Sequence, residues 1–107
     1  MSGRPGLAPG TGMLFIFGTE DLYSFWMKDM RFPLDLVWIS AECAVVDITE
    51  DAPPPAPGQT TADLPTYRPS EPAQYVLEIN AGEAESAGIR PGDPVEFAGS
   101  LAGTYGC

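Results

Sequence analysis

The sequence predicts an α+β fold that is mainly β: a small curled sheet or partly open β-barrel-like domain with one short helix near the C-terminus. Three observations carry this. The apolar residues fall in short runs or alternate with period two, as strands require, and only one stretch, near Gly82–Ala87, has the makings of a helix. Twelve glycines and twelve prolines interrupt the chain too often for long helices. A length of 107 residues makes one domain (1–107) with a modest core.

After the Gly- and Pro-rich entry RPGLAPGTG, the run Met13–Phe17 is apolar throughout and short, which predicts a buried strand closed by a turn at Gly18–Asp21. Tyr23–Met30 reads as a second strand, with Phe25 and Met27 on one face and Trp26, Lys28 and Met30 on the other. Bulk on both faces places this strand between two layers or along a pocket. Pro33 gives a ladder no donor, so pairing stops there and resumes at Leu34–Ile39. Ser40-Ala41-Glu42 then turns the chain into a fourth strand at Ala44–Ile48.

Residues 51–72 hold seven of the twelve prolines and follow neither strand nor helix periodicity. This predicts a long extended strap, stiffened by proline, with Tyr67 as its only aromatic anchor. Ala73–Asn80 alternates as a strand, with Tyr75, Leu77 and Ile79 opposite Val76, Glu78 and Asn80. Glu78 between two apolar neighbours needs solvent, donors or a cation, because an unpaired buried carboxylate costs several kcal/mol. The helix at 82–87 ends at Gly88 as a left-handed cap, with Ile89 supplying its hydrophobic contact. Pro91-Gly92 fits a type II turn leading to a last strand at Val95–Ala98 and a patternless Gly-rich tail at 99–107.

Fifteen acids against five bases give a net charge of −10 and argue against binding nucleic acid, where phosphate contacts need clustered Lys and Arg. No window approaches the ~18 apolar residues of a spanning helix, so no membrane insertion is expected. Met1–Gly12 lacks the basic start and apolar centre of a signal peptide, and the chain as written reads as soluble. Histidine is absent, which removes His-based triads and His-ligated zinc, and no metal or cofactor is expected. Cys43 and Cys107 match no metal or redox spacing; a disulfide between them would close a loop of ~65 residues and contribute ~3 to 4 kcal/mol, but free thiols are the expectation.

The segments GMLFIF, SFWMKDMRFPLDLVWI, a Pro-rich loop containing PTY, AQYVLEINAG and GIRPGDPV, in that order, resemble the bacterial and archaeal domain-of-unknown-function family 192. The resemblance runs from about Arg4 to Phe97 and implies a small β-barrel-like α+β domain, often exported, with no established activity. Its motif positions fall on Trp26, Met27, Lys28, Pro33, Leu34, Asp35, Tyr67, Glu78 and Asp93. By that resemblance an extra strand and a short helix precede this segment, and since the chain starts Met1-Ser2-Gly3-Arg4 the expectation is that the first strand is missing. A truncated start would have removed an export signal and fits an extracytoplasmic address; a natural short form leaves an open strand edge.

These residues converge on one candidate ligand-binding region: Trp26, Lys28, Arg31, Asp35, Tyr67 and Glu78. Lys28 is the only lysine, and an aromatic wall beside a cation and two carboxylates suits a small polar ligand, an acidic molecule or a peptide end. The same residues also fit plain core packing with Lys28 paired to Asp35 or Glu78. The leading expectation is a noncatalytic binding or accessory domain, with no catalytic residue assigned. The alternatives are a structural subunit that associates by strand addition, as a homodimer or on a protein partner, and a small enzyme using Asp35, Glu78 or a Lys28 Schiff base.

Overall fold

The computed structural model describes residues 12–27, 32–56, 58–60 and 64–95. Strands β1 (Gly12–Asp21), β3 (Leu34–Ile39), β4 (Val45–Ala52) and β6 (Ala73–Asn80) form one antiparallel sheet in the order β1-β6-β3-β4. Strands β2 (Phe25–Trp26) and β5 (Thr66–Tyr67) make a separate two-stranded ribbon, and helix α1 (Glu83–Ala87) follows β6 directly. The architecture is mainly β, built of open curled sheets rather than a closed barrel, with one short helix toward the C-terminus.

Strand β3 is buried at every position because the sheet is covered on both sides. On one face Leu34, Leu36, Trp38 and Val76 pack with Met27, Phe32, Ala52 and Ala73. The ribbon closes this layer: Phe25 meets Phe15, Phe17 and Trp38 edge-on, at centroid distances of 5.2, 5.9 and 5.5 Å. Edge-to-face geometry aligns the positive ring edge with the negative face of its neighbour, adding to simple burial. Trp38 satisfies its indole by donating Nε1–H to Thr49 Oγ1 at 3.0 Å. On the opposite face Val37, Ile39, Val45, Tyr75 and Ile79 pack beneath Ala84 of α1, with Ile89 and Val95 alongside.

Local chemistry accounts for the helix end and the turn. Gly88 adopts φ +72°, its N–H donating to the Glu85 carbonyl while the Ile89 N–H reaches the Ala84 carbonyl, the double bond of a Schellman cap. Gly92 at φ +96° and the bond from Asp93 N–H to the Arg90 carbonyl form the expected turn around Pro91.

Several expectations need correction. Strand β1 runs through Gly18–Asp21 instead of turning there, and the extra residues are taken up by a register shift between Ile16↔Tyr75 and Asp21↔Ala73. The second strand, expected at Tyr23–Met30, is Phe25–Trp26 within the described residues; Lys28–Met30 lie outside them. Strand β4 starts one residue later than expected and extends to Ala52, because a bulge around Asp51 (φ +54°) lets pairing with β3 continue from Leu36↔Thr49 to Leu34↔Ala52. The strap is therefore shorter than 51–72, and β5 divides it. Of the last strand, the described part is an Ala44↔Pro94 bridge and a bond from Val95 N–H to the Cys43 carbonyl; 96–98 and the tail 99–107 lie outside the described residues. Cys43 is disulfide-bonded, which overturns the free-thiol expectation for it, and the sequence's one other cysteine is Cys107.

Candidate functional site

The residues expected to share one site occupy different places. Asp35 is completely buried on the α1 side of the sheet. Its Oδ1 accepts the Asp51 N–H at 2.8 Å, and its Oδ2 accepts the N–H groups of Gly82 and Ala84 at 3.0 and 3.1 Å. One carboxylate thus fixes the β4 bulge, holds a non-glycine residue at positive φ, and satisfies donors at the start of α1. A helix start has N–H groups without intrahelical partners, and Gly82 has no side chain to cap them. This is the work of a structural anchor with its acceptor capacity already committed.

Glu78 lies on the other face. In register it stands between Met13 of β1 and Leu36 of β3, on the side of the aromatic layer, and it is only 6% exposed. Burial raises its pKa above the ordinary carboxylate value, since the charged form loses hydration. Asp35 pairs in register with Ile79, so alternation along β6 puts the two acids on opposite sides of the sheet. They do not form the acid–base pair that the enzyme alternative uses.

Trp26 and Phe25 alternate across the ribbon. Phe25 points into the core, while Trp26 is left 44% exposed. Within the described residues, then, the bulk expected on both faces of this segment covers one side. Tyr67 pairs with Phe25 in the ribbon and packs, half-buried, against the aromatic layer, as an anchor for the strap should. Lys28 and Arg31 lie outside the described residues; the flanking Met27 and Phe32 both sit in the Glu78-side core. No group of three or more His, Cys, Asp or Glu suited to a metal ion occurs among the described residues.

Two features carry weight that periodicity alone did not assign. Strand β1 forms one edge of the main sheet, with Met13 and Ile16 exposed at 37% and 38%. The second is an open concavity of about 420 Å³, lined by Glu50, Ala84, Glu85, Gly88, Ile89 and Arg90. The only hint of it in the sequence is the Schellman cap, which brings Ile89 and Arg90 back along α1. The approach of Glu50 depends on strand pairing far away in the chain.

No curated protein matches the chain. Among solved structures it is similar to a candidate transcription regulator from Sinorhizobium meliloti 1021, at 35% identity and a TM-score of 0.74, over 87% of this chain and 67% of that one. It is also similar to a protein of unknown function from Novosphingobium aromaticivorans DSM 12444, at 33% identity and a TM-score of 0.76, over 90% of this chain and 64% of that one. The chain spans about two thirds of the first protein's length and somewhat less of the second's. The family described as an uncharacterised ACR matches residues 1–97. With that match over the sheet, strap and helix just described, the chain belongs to domain-of-unknown-function family 192.

Proposed function

We propose that the domain is a noncatalytic accessory module that takes a second polypeptide strand along the β1 edge, with another copy of the same chain as the first candidate. The observation that carries this is the contrast between the sheet's two edges. Strand β1 has no charged residue from Gly12 to Thr19 and exposes Met13 and Ile16 beside an edge without a sheet partner among the described residues. Edges of this kind template further pairing unless charge, proline or covering chain blocks them. Strand β4 is guarded: it carries Asp47, Glu50 and Asp51, and Val45 is tied to the turn at Gly92 and Asp93. Antiparallel pairing of two β1 strands is self-complementary, and it keeps the Glu20 and Asp21 ends of the two copies apart.

Two copies at −10 each repel, so association should strengthen as salt screens the charge. The same charge argues against direct DNA contact, and the regulator description remains a statement about the Sinorhizobium protein. Sedimentation at micromolar concentration, with dilution and salt series, tests the proposal. The expectation is a dimer for the parent and a folded monomer for Ile16→Lys, which places charge at the edge. A parent monomer that ignores dilution and salt rejects it.

A small polar ligand at Trp26, Lys28, Arg31, Tyr67 and Glu78 is the second reading, favoured by one observation: the buried acid at Glu78. With Asp35 committed to three backbone donors, Glu78 is the acid we assign as partner to a ligand's cation. A cationic ligand should then bind Glu78→Gln more weakly than the parent. Equal binding would end this reading.

A further inference from the structure

We infer that the concavity beside α1 is a binding site for a zwitterionic amino acid with an aliphatic side chain, separate from the β1 edge. Its walls come from distant parts of the chain: Glu50 from β4, Ala84 and Glu85 from α1, and Gly88, Ile89 and Arg90 from the segment that leaves the helix. The backbone of that segment is held at each step. Gly88 N–H donates to the Glu85 carbonyl, Ile89 N–H to the Ala84 carbonyl, and Arg90 N–H to Asp93 Oδ2 at 2.8 Å, while Asp93 N–H returns to the Arg90 carbonyl. A rim fixed in this way presents its side chains without first having to order the chain, which favours small-ligand binding.

The charges on the rim are complementary to a zwitterion. Two carboxylates, Glu50 and Glu85, and one guanidinium, Arg90, border the same opening. Among the described residues none of the three forms an ion pair or a side-chain hydrogen bond, so their charges are not spent on one another. An ammonium group is drawn to the acids, and a carboxylate fits the planar two-pronged guanidinium. The lining also holds Ala84, which is buried, and Ile89, which packs against the core beneath α1 and offers an apolar rest for a short aliphatic chain. A volume of about 420 Å³ takes a molecule of this size and is too small for a folded partner.

The test uses the whole chain, labelled with nitrogen-15, and L-leucine as the probe. Titration should shift the amides of Gly88, Ile89 and Arg90 in a saturable way at millimolar concentration. N-acetyl-L-leucine, without the ammonium, and L-leucine amide, without the carboxylate, should each bind about tenfold more weakly or worse. Arg90→Gln should lower leucine affinity about tenfold yet leave the already weak binding of leucine amide unchanged, because that probe never uses the guanidinium. A variant that merely disturbed the fold would weaken both. The absence of saturable shifts up to ~10 mM overturns the inference, as does equal binding of leucine and its two capped forms.

Discussion

Removing the Asp35 carboxylate should be among the most damaging single substitutions in this domain, because it holds backbone donors of β4 and of the start of α1 together. Asp35→Ala leaves the N–H groups of Asp51, Gly82 and Ala84 without their acceptor in a place where the side chain itself is 0% exposed. Each buried donor left unsatisfied costs ~1 to 3 kcal/mol. Water entering the vacated space recovers part of that, so the expected loss is about 4 kcal/mol, near the upper limit for one substitution. For a domain of this size the loss corresponds to a fall in Tm on the order of 20 °C. Asp35→Asn keeps one acceptor oxygen but turns an amide toward a donor, and should fall between the parent and Asp35→Ala. Thermal and urea melts measure the loss, and hydrogen exchange should show the Gly82 and Ala84 amides losing protection first. If Asp35→Ala melts within ~2 °C of the parent, the carboxylate does not hold these elements and the argument fails.

Glu78 should behave in the opposite sense. Its folded-state pKa lies above its unfolded one, so the folded protein holds the proton more tightly. The resulting stability is present below the unfolded pKa and is lost as pH rises through the folded value. Glu78→Gln should flatten this part of the pH–stability curve and leave the protein no less stable at pH 7; a slope identical to the parent's rejects the assignment. Chymotrypsin should cut slowly after Tyr67 in the folded protein, because Tyr67 pairs with Phe25 and the Arg68 guanidinium donates to the Leu22 carbonyl at 3.4 Å; rapid cleavage there means the strap is free. Reduction should lower Tm by breaking the Cys43 disulfide, since a native disulfide typically contributes ~2 to 4 kcal/mol. An unchanged melt would show that the bond constrains nothing.

Periodicity and punctuation alone located much of this fold. Leu34–Ile39 and Ala73–Asn80 are strands at the positions their patterns predict, because a run buried on both faces and an alternating run each suit only one kind of place in a sheet. The Gly88 cap and the Pro91-Gly92 turn were legible for a similar reason: positive φ and a fixed proline ring are properties of the residue itself. Whether β1 continued past Phe17, and β4 past Ile48, was not local information. Each extension depends on a bulge that a partner strand stabilises.

The site followed the same division. Sequence singled out Glu78 as an acid inside an apolar run that would need a partner and named Asp35 among the site residues, and both are buried. It could not tell which side of the sheet each would face relative to the other. Strand register decided that, turning one acid toward α1 and the other toward the aromatic layer, and a shift of one residue would have reversed the outcome. Trp26 likewise owes its exposure to a two-residue ribbon formed with Thr66, a partner brought across the strap. Composition and spacing specify what each segment can become. Which residues meet in a site is set by long-range pairing between strands, which only the folded chain brings together.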